Sequence, residues 1–161
     1  MVIFSTCKKQ EETVSSQEIS DWKFEYQGDW HQAEVPGNNF SDLLKHNFIP
    51  DPFYGTNEDS IQWVSERNWQ YKSHFSAPKN TLENEKQLLV FSGLDTYAKV
   101  YLNDSLILQA NNMFRTWEVD VSDILKKDNT LLIKFDAVSK IENEKQIDLG
   151  YNLPGGNRVF T

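Results

Sequence analysis

The sequence predicts an all-β domain built as an antiparallel β-sandwich, with a few short helices. Apolar and aromatic residues alternate with polar ones over several short segments, which is typical of strands with one buried face. Turn-forming residues separate these segments, and no helical segment is long enough to connect parallel strands. The 161 residues are 39% hydrophobic and 13% aromatic, which suffices for one domain with a full core.

The first predicted strands are rich in aromatic residues. In residues 22–26 the rings alternate with Lys23 and Glu25, and residues 69–75 repeat this pattern. Successive side chains of a strand point to opposite faces, so these rings are expected in the core. They are Trp22, Phe24, Tyr26, Trp69, Tyr71 and Phe75.

More strands are predicted downstream. Residues 96–102 are partly apolar on both faces, as in a strand inside a sandwich. Asn103 and Asp104 then supply turn chemistry, so residues 105–109 are interpreted as the return strand of a hairpin. The remaining predicted strands are residues 87–91, 114–121 and 130–138.

Helical signals are few and short. Residues 41–46 can form about one and a half turns, with Ser41 as the N-cap. A further short turn is predicted at residues 122–126, with Ser122 as its cap.

Residues 47–68 form a long insert that lacks the strand pattern. A loop of this length in a compact domain is usually functional or disordered, and this one is too apolar for disorder. We expect it to be ordered and packed on the sandwich through Phe48, Ile49, Phe53, Tyr54, Ile61 and Trp63. Within the insert, residues 57–65 are a candidate helix, with Asn57 as its cap and Glu58 favouring its dipole.

Charge and composition exclude several classes of function. The net charge of -8 and the absence of a basic patch argue against a nucleic-acid partner. No apolar run approaches the roughly 20 residues of a membrane span. The only cysteine is Cys7, and the three histidines lie far apart without ligand spacing, so no metal site is predicted. No phosphate loop, dinucleotide fingerprint or nucleophile elbow is present.

The first 16 residues are interpreted as an export remnant or flexible tether, which leaves residues 17–161 as the domain. A short apolar run precedes Cys7, and charged and polar residues follow it. This order resembles the end of a bacterial lipoprotein signal, in which the cysteine is acylated after cleavage. The resemblance implies an exported protein, in the periplasm or at the cell surface, with lipid attached at Cys7. The alternative is a frayed terminus with an incidental cysteine.

Three segments resemble the N-terminal sugar-binding-type domain of family-two glycoside hydrolases. The first is GLDTYAKVYLN at residues 93–103, which is similar to the strand leading into the family's hairpin. The second is NNMFRTW at residues 111–117, followed by VDVS at residues 119–122. The third is VPGN at residues 35–38, with WQY downstream at residues 69–71.

Two further segments are similar to the β-mannosidase branch of that family. They are DPFYGTNE at residues 51–58, continuing to Trp63, and PGGNRVFT at residues 154–161. Together the resemblance covers roughly residues 20–161. The last segment has a turn leading into the start of a strand, so we expect the domain to be truncated at its C-terminal end.

The resemblance implies a galactose-binding-like jelly roll that precedes immunoglobulin-like sandwiches and a (β/α)8 barrel. Two glutamates of the barrel act as general acid/base and nucleophile, with retention of configuration. In the β-mannosidase branch this domain also lends a Trp-Asp pair to the sugar pocket, expected after Thr161. We therefore name no catalytic residue and no cofactor. The expected partners are the downstream domains of the same chain and a β-mannoside oligosaccharide.

The insert supplies the candidate sugar-binding or pocket-rim residues. Asn57 and Glu58 are predicted to reach toward the pocket, although capping a short helix would also account for both. Trp63 is the candidate for an exposed ring that stacks on a sugar, whereas Trp117 and the strand tryptophans are expected in the core. Arg115 is interpreted either as a partner for a carboxylate across a domain interface or as an ordinary surface arginine.

Three alternatives to a β-mannosidase module stay open. The parent protein could be a β-galactosidase or β-glucuronidase of the same family. The chain could be a stand-alone carbohydrate-binding module, which would need an exposed aromatic platform. It could also be a docking domain without sugar contact, which would leave an apolar patch bare when the barrel is absent.

Overall fold

The computed structural model describes residues 16–141, which form an antiparallel sandwich with short helices. The strands are β1 Lys23–Tyr26, β2 Asp29–Gln32, β3 Trp69–Ser76, β4 Leu88–Phe91, β5 Ala98–Leu102, β6 Ser105–Ala110, β7 Trp117–Asp120 and β8 Asp128–Phe135. The helices are α1 Asn39–Lys45, α2 Asn57–Ser60, α3 Trp63–Glu66 and α4 Lys79–Leu82. The predicted all-β sandwich is confirmed.

Six strands form the larger sheet, in the order β2-β1-β3-β8-β5-β6, and β4 pairs with β7 in the smaller one. The register aligns four residues across the larger sheet: Trp69 pairs with Phe135, Phe135 with Ala98, and Ala98 with Ala110. These residues mark one end of the sheet. We call it the exit end, because the chain leaves the sheet there after β8.

The core lies between the two sheets and extends under the insert. Its largest buried residues include Phe24, Leu43, Val64, Leu102 and Leu131, each with almost no exposed surface. The inner residues of the smaller sheet, Leu89, Phe91, Trp117 and Val119, pack against this cluster while half-buried. Alternating burial along β5, in which the first, third and fifth residues are buried, shows how period two places one face inward.

The predicted strands are confirmed with small changes at their ends, and one strand was missed. Strand β2, with the sequence DWHQ, carries no apolar alternation and has no buried residue. It forms because Gln27 and Gly28, both with positive φ, turn the chain back onto β1. Since Gln-Gly is a weaker turn signal than Asn-Gly, the sequence did not predict this hairpin.

Two predicted caps are wrong. Helix α1 begins at Asn39, and the side chain of Asn38 accepts the hydrogen bond from the N–H of Ser41. Ser41 is therefore the capped residue and not the cap. Ser122 is not a cap either, because its own N–H and hydroxyl both donate to the Asp120 carboxylate.

The insert is ordered against the sandwich, as predicted, but only in part. Ile49 and Ile61 are buried, and Phe48 packs on the core. Phe53 and Tyr54, which were also expected to pack, are 96% and 77% exposed. None of the helices within residues 16–141 combines the length and apolarity that a bilayer crossing requires.

Candidate functional site

The tip of the insert is a loop braced by its own hydrogen bonds. The Asp51 carboxylate accepts from the N–H of Phe53 at 3.0 Å, and the Asp51 carbonyl accepts from the N–H of Tyr54 at 3.2 Å. Asn57 Nδ2 donates to the same carbonyl at 2.9 Å and closes the loop. Phe53 and Tyr54 lie within this braced loop, and both rings are exposed.

Asn57 is the first residue of α2 and does not cap it, so this prediction is wrong. Thr56 occupies the cap position and makes no side-chain capping bond. The amide of Asn57 bonds instead to the Asp51 carbonyl, six residues back. Glu58 lies exposed in the first turn of α2. Its backbone carbonyl accepts from Gln62 Nε2 at 3.1 Å, and within residues 16–141 its carboxylate makes no hydrogen bond.

The predicted single helix over residues 57–65 is two four-residue helices, and Trp63 begins the second. Its half-buried ring stacks on Tyr26 with centroids 5.9 Å apart and lies 6.3 Å from the Trp69 ring. One face of Trp63 is thus covered by its own domain. A sugar-stacking role for this ring stays a prediction.

The three predicted rim residues therefore have different surroundings. Asn57 bonds to its loop, Glu58 lies in solvent, and Trp63 packs on the core. The three residues lie close in sequence, and their place at a pocket rim stays a prediction. Cys7, the predicted lipid attachment site, lies outside the described residues. The same holds for residues 154–161, from which a truncated domain was predicted.

Arg67 joins the insert to the aromatic cluster below it. Its guanidinium lies 5.2 Å from the Tyr26 centroid and 5.1 Å from the Trp69 centroid, within cation–π range. The same group forms an ion pair with Glu25 at 3.2 Å. These contacts anchor the C-terminal part of the insert to β1 and β3.

Asp42 and Tyr71 form a buried polar pair beneath α1. Asp42 is 1% exposed, and its carboxylate accepts from the N–H of Glu34 at 3.0 Å and from the hydroxyl of Tyr71 at 3.1 Å. Burial raises the pKa of Asp42, and the two hydrogen bonds only partly offset this. Burial, followed by the negative charge of Asp42, raises the pKa of Tyr71. The pair ties α1 to β3, so we assign it a structural role.

The loop between β6 and β7 presents a second exposed aromatic residue. Phe114 is 88% exposed, and its N–H donates to the Asn112 side chain at 2.9 Å. Arg115 is exposed, and its guanidinium lies 4.4 Å from the half-buried Trp117 ring. Within residues 16–141 no carboxylate lies within ion-pair distance of Arg115, so the predicted pairing across an interface stays a prediction.

The opposite end of the sheet carries a shallow groove of about 260 Å³. His74, Phe75, Ser76, Asp128, Asn129 and Thr130 line it. Its polar groups are already paired, because Thr130 bonds to His74 and Ser76 donates to Asp128. In the described part of the chain, no three His, Cys, Asp or Glu side chains are grouped as metal ligands.

Sequence reasoning missed the exposed aromatic residues and the Asp42–Tyr71 pair. An aromatic residue in a loop carries no local signal that distinguishes a packed ring from a bare one. The Asx turns at Phe53 and Phe114 do have a sequence signal, which is an Asp or Asn two residues before the aromatic residue. Nothing in the sequence indicated that Asp42 would meet a residue 29 positions away.

The sequence comparisons find one family and several enzymes. The family model described as glycosyl hydrolase 2 galactose-binding domain-like matches residues 12–160. Beta-mannosidase B from Thermothelomyces thermophilus is 43% identical over 106 residues, covering 65% of this chain and 12% of that protein. Beta-mannosidase from Rattus norvegicus is 36% identical over 123 residues, covering 76% of this chain and 14% of that protein.

Among solved structures, the beta-D-mannosidase from Dictyoglomus thermophilum matches with a TM-score of 0.82 and 36% identity. The match covers 86% of this chain and 18% of that one. A β-glucuronidase from Ruminococcus gnavus matches with a TM-score of 0.56 and 19% identity, over 73% of this chain and 21% of that one, which shows a shared fold alone. The chain thus spans less than a fifth of the length of the mannosidases it matches.

Proposed function

Because the chain belongs to the glycosyl hydrolase 2 galactose-binding-like domain family, we propose that it is the non-catalytic N-terminal module of a β-mannosidase-like exoglycosidase. The parent protein would remove terminal β-mannosides from oligosaccharides. The single observation that carries this proposal is the match to the Dictyoglomus thermophilum mannosidase, in which sequence and fold agree over most of the chain.

The comparison with glucuronidases favours mannosides over glucuronides. The match to the Dictyoglomus thermophilum mannosidase has a TM-score of 0.82 and 36% identity, whereas the match to the Ruminococcus gnavus glucuronidase has 0.56 and 19%. A β-glucuronidase or β-galactosidase parent is therefore the second candidate. A β-glucuronidase shares the fold of this domain but is less similar to it in sequence.

Catalysis is proposed to lie outside this domain. Retaining glycosidases place two carboxyl groups about 5 Å apart, one to protonate the leaving oxygen and one to form the covalent intermediate. The half-buried and buried carboxylates of Glu25 and Asp42 are paired within their own domain, with Arg67 and Tyr71. We assign the domain a bracing role against the catalytic part of the protein.

The complete polypeptide, assayed on matched nitrophenyl glycosides, tests the parent activity. We expect hydrolysis of the β-mannoside at least about tenfold faster, in kcat/KM, than hydrolysis of the β-glucuronide or β-galactoside, since a tenfold ratio needs only about 1.4 kcal/mol of transition-state discrimination. Faster hydrolysis of the β-glucuronide or β-galactoside would replace the proposal with its second candidate.

Asn57, Glu58 and Trp63 are retained as proposed pocket-rim residues in the complete protein. If Glu58 contacts substrate, Glu58→Gln should raise KM severalfold without changing thermal stability, because its side chain is exposed. Asp59→Asn, which removes a neighbouring exposed charge, is the matched control. Equal kinetics for both variants and the unmodified enzyme would remove Glu58 from the rim.

Export with lipid attachment at Cys7 also stays a proposal. Its support is the apolar run that precedes the cysteine and the polar tether that follows it. Metabolic labelling with a tagged fatty acid checks it. Label in the unmodified protein and none in Cys7→Ser would support the anchor, whereas an unlabelled protein would remove it.

A further inference from the structure

The two most exposed aromatic side chains lie in segments that join the sheet at the same end. Phe53 is 96% exposed on the insert that precedes β3, and Phe114 is 88% exposed in the loop that follows β6. The register places the start of β3 and the end of β6 together at the exit end. Their strands are three places apart in the sheet, so the roots of the two loops are separated by about 14 Å.

The backbone that carries each ring is braced by an Asx turn. The N–H of Phe53 donates to the Asp51 carboxylate at 3.0 Å, and that of Phe114 to the Asn112 side chain at 2.9 Å. A braced loop loses less conformational entropy on docking than an unstructured one. An aromatic ring that is exposed in the isolated domain gains stabilisation when a partner buries it. Aromatic anchors of interfaces behave in this way.

The direction of the chain identifies the occupant. Strand β8 ends at Phe135 at the exit end, so the polypeptide that follows starts beside both loops. The related mannosidases are much longer than the matched region, which covers 12% to 18% of their length. A standard interface buries roughly 800 Å² per partner, which is wide enough to include both rings.

We propose that Phe53 and Phe114 are the two anchors of a docking surface at the exit end, which binds the part of the same polypeptide that follows residue 141. The inference rests on the proposed function, since that function makes this domain one part of a larger enzyme. Residues 51–60 carry Asp51, Glu58 and Asp59 and no lysine or arginine. The surface that receives Phe53 is accordingly an apolar pocket with basic groups at its edge.

Hydroxyl-radical footprinting of the complete polypeptide tests this surface. For each side chain, the oxidation rate in the native protein is divided by its rate in the urea-unfolded protein. Leu106, which is 48% exposed and follows the hairpin turn at the other end of the sheet, is the internal reference, and buried Phe24 is the protected standard. We expect Phe53 and Phe114 to oxidise at least about fivefold more slowly than in the unfolded state, because interface anchors are fully desolvated.

Three outcomes would overturn the proposal. Native oxidation of both rings close to the unfolded rate would show that nothing covers them. Protection that disappears on dilution would indicate a second copy of the chain. Protection that appears only when β-1,4-mannobiose is added would indicate a sugar platform.

The footprint is independent of the glycosidase assay. Protected rings in an enzyme that prefers another glycoside would contradict the proposed β-mannosidase function and leave the docking surface intact. Exposed rings in an active β-mannosidase would contradict the docking surface alone. Phe53→Ala and Phe114→Ala, compared with Leu106→Ala, should lower the midpoint of thermal unfolding of the complete polypeptide, and an equal midpoint for all three would contradict anchoring.

Discussion

At the residue scale, the buried polar groups within residues 16–141 all have hydrogen-bond partners. Asp42 is the charged member of this set, and its partners come from the segment before α1 and from β3. An unpaired buried carboxylate would be costly, whereas one with two donors is tolerated. Asp42 therefore links α1 both to β3, through Tyr71, and to the segment before α1, through Glu34.

Removing one donor should expose this cost. We expect Tyr71→Phe to lower the free energy of unfolding by about 1–3 kcal/mol at neutral pH, the usual value of a hydrogen bond to a charged group. The loss should be smaller near pH 4, where Asp42 is closer to protonated and needs the donor less. Urea denaturation at both pH values measures it. A loss that is equal or larger at the lower pH would contradict the assignment.

The raised pKa of Asp42 also sets the sign of its pH dependence. Between its ordinary pKa of 3.8 and its raised pKa in the folded protein, the folded state binds more protons than the unfolded state. This residue's contribution to stability is therefore fully present below pH 3.8 and is lost as pH rises through the folded-state pKa. Relative to Asp42→Asn, the unmodified protein should lose stability as pH rises above 3.8 and through the folded-state pKa. A difference that is constant or grows in favour of Asp42 would contradict this.

At the element scale, the β5–β6 hairpin shows how a two-residue turn organises several loops. Asn103 and Asp104 have φ values of 49° and 69°, as a type I′ turn requires. The Asn103 amide donates to the Ile124 carbonyl and the Asn129 side chain, and its oxygen accepts from the N–H of Thr130. One turn residue thereby joins the hairpin to the start of β8.

The two turn positions should respond in opposite directions to substitution. Asp104→Gly relieves the positive φ and should stabilise the domain by up to about 1 kcal/mol. Asn103→Ala removes three hydrogen bonds and should destabilise it by about 2–3 kcal/mol. Thermal or urea unfolding of the two variants checks this. If Asn103→Ala were as stable as the unmodified protein, the turn would not organise its neighbours.

At the scale of the whole molecule, the domain has a packed interior and one end that presents bare aromatic rings. Trp63 is stacked against Tyr26, and the exposed rings belong to two separate loops, with Phe53 and Tyr54 on one and Phe114 on the other. This arrangement suits docking better than a continuous flat platform for a pyranose ring. It favours the docking-domain interpretation over the stand-alone carbohydrate-binding module.

The 161-residue chain by itself is therefore expected to give no saturable heat with mannose or β-1,4-mannobiose. The physical reason is that Asn57 is engaged by its own loop and Trp63 has one face covered by Tyr26. Isothermal titration measures this. Saturation at millimolar affinity or better would locate a sugar site within the chain, and Trp63→Ala would then be the variant to examine.

Much of the fold followed from the sequence, and less of the candidate site did. The alternation of Trp22, Phe24 and Tyr26 predicted β1, and the Asn103–Asp104 turn predicted the β5–β6 hairpin. The caps failed because Asn38 and Asp120, each lying before the predicted cap, took the capping bonds with their own side chains. Strand β2 was missed because its pairing with β1, and not its composition, makes it a strand.

The sequence by itself determined the class of the fold, because the partition of side chains between core and water repeats every two residues and is therefore local. It also carried the resemblance that the family match confirms. Only the tertiary structure decided that Asp42 meets Tyr71, that Trp63 is half covered, and that the segments carrying Phe53 and Phe114 join the sheet at one end. These features depend on strand order and register, which bring together residues far apart in the chain.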